Sequence, residues 1–166
     1  MAKKITVTSQ FDVYNSVNEL KSEEKKLFLN AQEAMEKAYA PYSNFFVGAA
    51  VLLKNGNIIT GNNQENAAYP SGLCAERVAI FHASSQYPNI KILAIAVAAK
   101  AKNKPVNRRD SDSPLSPCGA CRQAMMEYEL KFNSSIKFIM GTETGHIYIS
   151  KSISNLLPLS FSNKNL

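Results

Sequence analysis

The chain has 166 residues, which is enough for one domain with a sizeable buried core. Hydrophobic residues make up 45% of it and charged residues 19%, and its net charge is +6. No apolar run reaches the roughly 18 residues that a membrane-spanning helix needs, and the first residues, MAKKITVTSQFDVYN, lack the apolar stretch of a signal peptide. We therefore expect a globular, cytoplasmic protein that does not enter a membrane.

The positive charge is scattered along the whole chain, which is typical of a solvated cationic surface. We therefore do not expect nucleic acid as a partner. One basic segment, 100–113, carries five cations but no aromatic side chain on which a base could stack. We interpret it as a solvated surface insertion, and a phosphate-binding strip is the alternative.

The first predicted element is a helix. Residues 1–20 are polar and irregular, so we predict a loosely ordered N-terminal arm at 1–21 before a single domain at 22–166. Ser22 can cap a helix whose first turn contains Glu23 and Glu24. Pro41 ends it. The apolar positions that recur at helical spacing are Leu27, Ala31, Ala34, Met35 and Ala38.

A hairpin follows this helix. Residues 46–53 are rich in β-formers, Asn55-Gly56 is a strong type I′ turn signal, and 57–61 form the returning strand. Next, 74–85 has a helical pattern, and the nearly continuous apolar run at 91–99 predicts a buried central strand.

The rest of the chain predicts a loop at 100–116, a helix at 118–130, strands at 135–140 and 146–150, and a short closing helix at 153–157. The resulting order, α-β-β-α-β-α-β-β-α, is typical of a mixed sheet covered by helices.

All three cysteines lie in two short motifs, GLCAER and SPCGACRQ. Cys118 and Cys121 are one turn apart at the start of a helix, and Cys74 lies where a helical pattern begins. Helix N-termini favour thiolate over thiol, so two such ends can direct three thiolates to one point. Three protein ligands leave the fourth position of a tetrahedral zinc open, as in catalytic zinc sites.

Glu76 follows Cys74 by two residues, and its carboxylate can reach the open face of such a metal. A zinc-bound water beside a carboxylate can carry out hydrolysis, because the metal acidifies the water and the carboxylate carries protons. Two alternatives remain, namely three cysteines buried as small apolar residues and Glu76 as an ordinary helix acid. We interpret His82 and His146 as structural, although spacing alone leaves His82 open as a fourth ligand.

Four stretches of the chain resemble the small, homotetrameric cytidine deaminases. They are PYSNFFVGAA, GNNQENAAYPSGLCAER, SPCGACRQ and LLPLSF, in that order from about Pro41 to the C-terminus. C-A-E followed by P-C-x-x-C is similar to the signature of zinc nucleobase deaminases. The resemblance implies an α/β fold, a three-layer α-β-α sandwich with a mixed, about five-stranded sheet. The departures from the family pattern are the arm before Ser22 and the basic segment 100–113.

The resemblance also implies an activity, hydrolytic deamination of cytidine and deoxycytidine to uridine and deoxyuridine plus ammonia, in pyrimidine salvage. Cys74, Cys118 and Cys121 match the ligands of one zinc ion per subunit. Glu76 matches the residue that takes a proton from the zinc-bound water and passes it to N3 of the base. The same residue then helps to protonate the amino group, which leaves as ammonia.

The resemblance assigns further roles around the substrate. Asn63 and Glu65 match residues that hydrogen-bond the ribose hydroxyls, Phe45 matches an aromatic residue that packs on the base, and the backbone of Ala75 matches one that contacts the base. Phe161 matches a side chain that enters the active site of a neighbouring subunit, so we expect a homotetramer. Two alternatives stay open: Asn63 and Asn66 as turn residues after a strand, and Phe45 and Phe161 as ordinary core residues.

Arg77 has a physical role that the resemblance supports. A zinc dication with three thiolates carries a net charge near −1, which weakens its ability to acidify water. A guanidinium that hydrogen-bonds to thiolate sulfur offsets this charge. Arg77 is similar to an arginine with this function in the family.

Three other functions stay open. Blasticidin-type deaminases share both cysteine motifs but not N-x-E-N, which the chain has at 63–66. Deaminases acting on RNA or DNA mostly use histidine as first ligand. A non-catalytic zinc module would close the metal with four protein ligands and would not need Glu76.

Overall fold

Six strands form one mixed sheet in the computed structural model, which describes residues 2–102 and 114–166. The strands are β1 Asp12–Tyr14, β2 Phe45–Leu53, β3 Ile58–Asn62, β4 Ile92–Ala101, β5 Lys137–Thr142 and β6 Ile147–Ser150. Their order across the sheet is β1-β6-β5-β4-β2-β3. β4 and β5 are parallel, and the other neighbouring strands are antiparallel.

Three α-helices cover this sheet within the described ranges: α1 Ser22–Met35, α2 Ala75–Gln86 and α3 Gly119–Lys131. Short 3-10 helices occupy Val17–Glu19, Tyr69–Ser71 and Asn163–Asn165. None of the helices in the described part of the chain has the length and apolar character to cross a membrane. The basic segment predicted at 100–113 lies outside the described residues from 103 onward.

The alternation of side chains along β4 separates two cores. Ile95 and Val97 belong to the cluster formed with α2 and α3, whereas Ala94, Ala96 and Ala98 belong to the cluster formed with α1. Successive strand residues point to opposite faces, so a strand that is apolar throughout must be buried on both. The predicted three-layer α-β-α sandwich is therefore confirmed, with six strands instead of about five.

Two glycines allow the helices to approach the sheet closely. A Cβ on Gly48 would lie 2.1 Å from the Ala31 carbonyl oxygen of α1. A Cβ on Gly61 would lie 2.5 Å from the Ala79 nitrogen of α2. Both contacts are with helix backbone, which cannot move aside as a flexible side chain could, so these positions require glycine.

The sixth strand comes from the segment for which the sequence pattern predicts no strand. β1 pairs with β6, with Val13 opposite Tyr148. The Asn155 side chain fixes the preceding residues, since its Oδ1 accepts from Gln10 N at 3.0 Å and its Nδ2 donates to Gln10 O at 2.9 Å. These contacts depend on β6 and on a distant turn, which a local pattern does not reveal. The extent of the arm, 1–21, stays a prediction.

The predicted closing helix at 153–157 is wrong, because this segment forms turns. The amide hydrogens of Ile153 and Ser154 bind the Glu129 carboxylate at 2.7 and 3.1 Å. Pro158 prevents the turn from continuing as a helix. The predicted first helix is α1, with two corrections. Lys21 is its N-cap and Ser22 is its first helical residue, and the helix ends at Met35, so it does not continue through Ala38 to Pro41.

The strand directions bring α2 and α3 to one edge of the sheet. β3 and β4 are both antiparallel to β2, so they end at the same edge. α2 follows β3 and α3 follows β4, so both helices begin there. Phe45 at the start of β2 pairs with Ala101 at the end of β4 and lies at this edge too. Carboxyl ends of strands are where open α/β sheets place their ligand sites.

Candidate active site and metal centre

The three cysteines form one cluster at this edge. Cys74 is the N-cap of α2 and Cys118 is the N-cap of α3, while Cys121 lies one turn inside α3 and is buried. The three sulfur atoms lie within 4.8 Å of one another, and the Cys74 and Cys118 sulfurs are 3.8 Å apart. In the described ranges, neither histidine belongs to the group.

The cluster fits a zinc ion. Tetrahedral zinc with sulfur bonds of about 2.3 Å holds its sulfurs about 3.8 Å apart, which is the separation between Cys74 and Cys118. Thiolates are soft ligands that select zinc over magnesium or calcium. Because the described part of the chain supplies three ligand atoms to this group, the arrangement leaves the fourth position free for a small molecule.

The sulfur atoms of Cys74 and Cys121 differ in their affinity for a proton. A hydrogen bond from the Cys121 thiol, followed by one from Arg77, lowers the pKa of Cys74 to about 5. The same contact with Cys74, together with burial, raises the pKa of Cys121. Of these two cysteines, Cys74 is therefore the one that more readily loses its proton in the metal-free protein. Metal binding must displace the proton that Cys121 retains.

Arg77 lies against the cluster from α2. Its Nη2 donates to the Cys74 sulfur at 3.9 Å, and this contact raises the pKa of the guanidinium. Its Nε is buried and has no hydrogen-bond partner among the described residues. A guanidinium in this position offsets the negative charge that three thiolates would bring to a metal.

Glu76 is buried in the first turn of α2, with 5% of its surface exposed. Burial raises the pKa of its carboxyl, and the negative charge of Cys74 adds to the effect. A carboxyl with a raised pKa accepts a proton more readily than an ordinary carboxylate does, and it can return that proton. Glu76 thus has the environment of a proton carrier beside the cysteine cluster.

A cleft of about 280 Å³ opens above the cluster. Its lining contains most of the residues that the sequence singled out: Phe45, Asn63, Glu65, Cys74, Ala75, Glu76 and Cys118. A wider depression beside it shares Asn63, Glu65 and Cys74 and is bordered by Arg77. The structure therefore brings the predicted base, sugar and metal residues together on one wall of the protein.

Asn63 and Glu65 hold the rim of this cleft. Asn63 Oδ1 accepts from Val47 N at 2.8 Å, and its Nδ2 donates to Phe45 O at 3.0 Å. The Glu65 carboxylate accepts from the Ser43 hydroxyl and from two backbone amides, with Tyr42 N at 2.9 Å. The Ser43 hydroxyl contributes most to lowering the pKa of Glu65, so its carboxylate is ionised in the cleft.

Phe161 lies apart from these residues. It is 59% exposed and is not part of the described lining of the cleft of its own chain. Gln123 on α3 donates to the Phe161 carbonyl oxygen at 3.1 Å and fixes this part of the tail. The ring of Phe161 thus lies on the surface of the chain.

The sequence reasoning missed Arg122, which directly follows Cys121. Its Nε donates to Pro117 O and its Nη1 to Leu156 O, both at 2.9 Å. Leu115, Ser116 and Pro117, which precede Cys118, also line the cleft without having been singled out. In the sequence, the one feature that could have pointed to Arg122 is its position directly after Cys121 in SPCGACRQ.

The family model for the zinc-binding region of cytidine and deoxycytidylate deaminases matches residues 21–133. The chain belongs to this family. The match includes all three cysteines and both helices that carry them.

Curated relatives support this membership over most of the chain. Cytidine deaminase from Halalkalibacterium halodurans is 41% identical over 140 residues, which are 84% of this chain and 95% of that protein. Cytidine deaminase from Sporosarcina psychrophila is 39% identical over 142 residues, 86% of this chain and 93% of that protein.

Solved structures give the same result for the fold. The cytidine deaminase of Burkholderia pseudomallei superposes with a TM-score of 0.69 at 35% identity, over 86% of this chain and 100% of that one. The cytidine deaminase of Mycobacterium tuberculosis has a TM-score of 0.64 at 31% identity, over 86% and 99%. This family member therefore has the sandwich fold of these deaminases.

Proposed function

We propose that the chain catalyses the hydrolytic deamination of cytidine and deoxycytidine to uridine and deoxyuridine, with release of ammonia. The observation that carries this proposal is the buried Glu76 carboxyl beside three clustered cysteine sulfurs at the base of a cleft. The relatives described above support it. The volume of the cleft, about 280 Å³, is just below the roughly 300–1,000 Å³ common for small-molecule sites, which suits a ligand as small as a nucleoside.

One zinc ion per subunit would be held by Cys74, Cys118 and Cys121. When bound, it supplies the Lewis acidity that makes a water molecule nucleophilic near neutral pH. Arg77 balances the charge of the three thiolates from the Cys74 side, where its Nη2 lies 3.9 Å from sulfur.

Glu76 carries the protons of the reaction. Its carboxylate takes one proton from the water that attacks C4 of the pyrimidine and delivers it to N3, which makes C4 more electrophilic. It then takes the second proton of that water to the amino group, which leaves as ammonia when the bond between C4 and nitrogen breaks. A carboxyl whose pKa is raised by burial is suited to both steps.

The rim of the cleft binds the sugar and the base. The ionised Glu65 carboxylate can accept hydrogen bonds from ribose hydroxyls, and Asn63 Nδ2 has a second hydrogen besides the one that it gives to Phe45 O. Phe45, which is 39% exposed, offers its ring to the base. The backbone of Ala75, at the start of α2, lines the same cleft and can contact the base there.

The enzyme works as a homotetramer in the cytoplasm, in pyrimidine salvage. Its partners are a small-molecule nucleoside and further copies of itself, and neither nucleic acid nor a membrane takes part. The exposed Phe161, held by Gln123 at its backbone, is available to a neighbouring subunit.

The test is an assay of the purified, zinc-loaded protein with cytidine, deoxycytidine, free cytosine and single-stranded RNA. We expect ammonia and the matching uracil product from the two nucleosides, with one zinc per chain. Absence of ammonia from both nucleosides in protein that holds zinc would refute the proposal, and deamination of RNA alone would assign the chain to another substrate class.

A further inference from the structure

We propose that Arg122 is a positioning residue for Cys118, the exposed member of the cysteine cluster. Its side chain fixes the peptide group before Cys118 by a hydrogen bond to the Pro117 carbonyl oxygen. The proposal rests on the proposed function, in which Cys118 holds zinc. It concerns how the chain keeps that sulfur in place.

Cys118 needs such support more than the other two cysteines. Cys121 is buried inside α3, and Cys74 has the Arg77 guanidinium against its sulfur. Cys118 is exposed, lies at the very start of α3 and makes no side-chain capping hydrogen bond. It follows a segment of polar residues and prolines that contributes no regular structure in its described part, 114–117.

Arg122 holds Cys118 from both sides. Its backbone N–H donates to Cys118 O at 3.0 Å, and its side-chain Nε donates to Pro117 O at 2.9 Å. The Pro117 carbonyl belongs to the planar peptide group that also contains the Cys118 nitrogen, so fixing this oxygen fixes the orientation of that plane. The two bonds together set the backbone of Cys118 and therefore the direction of its side chain.

The other end of the guanidinium binds a buried turn. Nη1 donates to Leu156 O at 2.9 Å, and Leu156 is buried in the turn after β6. The buried Glu129 carboxylate holds that turn through Ile153 N and Ser154 N. Arg122 thus connects the residue before Cys118, at the start of α3, to a turn that Glu129 holds in place.

The shape of the guanidinium matters more than its charge. Its planar, fixed set of donors can bind two carbonyl oxygens in different directions at once, whereas the ammonium of lysine is a compact point charge on a flexible stem. Substitution of the groups that orient metal ligands typically lowers metal affinity by about 10- to 100-fold. Loss of Arg122 should therefore speed the loss of zinc even when a positive charge is retained.

The experiment measures zinc transfer from the intact zinc protein to a chelating dye, for the parent chain and for Arg122→Met, Arg122→Lys and Lys131→Met. Lys131 is the matched control, because it is a cation at the other end of α3 that donates to a backbone carbonyl, Pro88 O at 2.8 Å, far from the cysteines. The thermal midpoint of each metal-free protein is recorded alongside, since a purely structural role would act there.

We expect zinc to leave Arg122→Met at least about ten-fold faster than the parent, Arg122→Lys also faster, and Lys131→Met at the parental rate. Parental zinc release by Arg122→Met would overturn the proposal, as would release that rises equally in Lys131→Met. If Arg122→Met does not fold, Arg122→Lys decides by the same criteria. The assay measures zinc release and not turnover. A parent protein that holds zinc but releases no ammonia from cytidine would therefore refute the proposed function, and the comparison of zinc release rates would still test the role of Arg122.

Discussion

Cys74 and Cys118 have the same position in two different helices, since each is the N-cap residue, and their sulfur atoms lie 3.8 Å apart. The N-cap side chain projects beside the first amide hydrogens of its helix, where the helix dipole is positive. Two helix ends that converge in this way favour negative charge between them. The sheet makes the convergence possible, because β3 and β4 end at the same edge.

Replacing Glu65 by glutamine should weaken sugar recognition. The carboxylate accepts three hydrogen bonds at the cleft rim, and a ribose hydroxyl would add to them. We expect the parent to prefer cytidine strongly over free cytosine and Glu65→Gln to lose much of that preference, since binding energy on the sugar helps position C4. Steady-state kinetics with both substrates measure this, with the surface variant Glu23→Gln as control. An unchanged preference of Glu65→Gln for cytidine over cytosine would show that Glu65 does not bind the sugar.

The lowered pKa of Glu65 makes a prediction about pH. Because its pKa lies below the ordinary glutamate value of about 4.3, the Glu65 carboxyl is mostly ionised at about pH 5 and more completely ionised above it. The KM for cytidine should therefore show no rise caused by Glu65 as the pH falls from about 8 to about 5. A KM that rises through this range in the parent but not in Glu65→Gln would contradict the assignment of an ionised carboxylate.

Glu129 is expected to stabilise the fold and not the chemistry. It is 7% exposed and accepts from the amides of Ile136, Ile153 and Ser154. Glu129→Gln replaces an acceptor by a donor that faces amide hydrogens, which should lower the free energy of unfolding by about 1–3 kcal/mol. Urea unfolding measures the change, and the exposed Glu127→Gln on the same helix is the matched control. Equal stability of the two variants would contradict the role.

Asn155 is expected to fasten the N-terminal arm. Its amide pairs with both backbone groups of Gln10 and donates to the buried Ser150 hydroxyl at 2.8 Å. In Asn155→Ala, amide exchange at 12–14 should become faster, while zinc content and turnover stay close to parental. Hydrogen exchange read by mass spectrometry tests this, with Asn163→Ala as the control. Unchanged protection of β1 would mean that its pairing with β6 suffices.

The sequence predicts the parts of this molecule that depend on local pattern. The helices that carry Cys74 and Cys118, the hairpin that contains Asn55-Gly56 and the buried strand β4 all follow from spacing and composition. The predicted type I′ turn of that hairpin is wrong, because Gly56 has a positive φ of 87° and Asn55 does not. The family assignment from the cysteine motifs is confirmed.

The features that the sequence does not predict depend on distant partners. Arg122 binds a carbonyl 34 positions away, and Glu129 binds an amide 24 positions away. Nothing in the helix that contains them distinguishes these side chains from solvated ones. The three-residue strand β1 is too short to produce a pattern of its own and exists because the edge of β6 is available.

The most direct test of the central claim, that Glu76 carries the protons of a zinc-dependent cytidine deamination, is the turnover of Glu76→Gln. Glutamine keeps the size of the side chain but cannot carry a proton. We expect the variant to keep one zinc per chain and the parental fold, while kcat for cytidine falls by at least about 10²-fold. Near-parental turnover by zinc-loaded Glu76→Gln would show that another group moves the proton and would contradict the account.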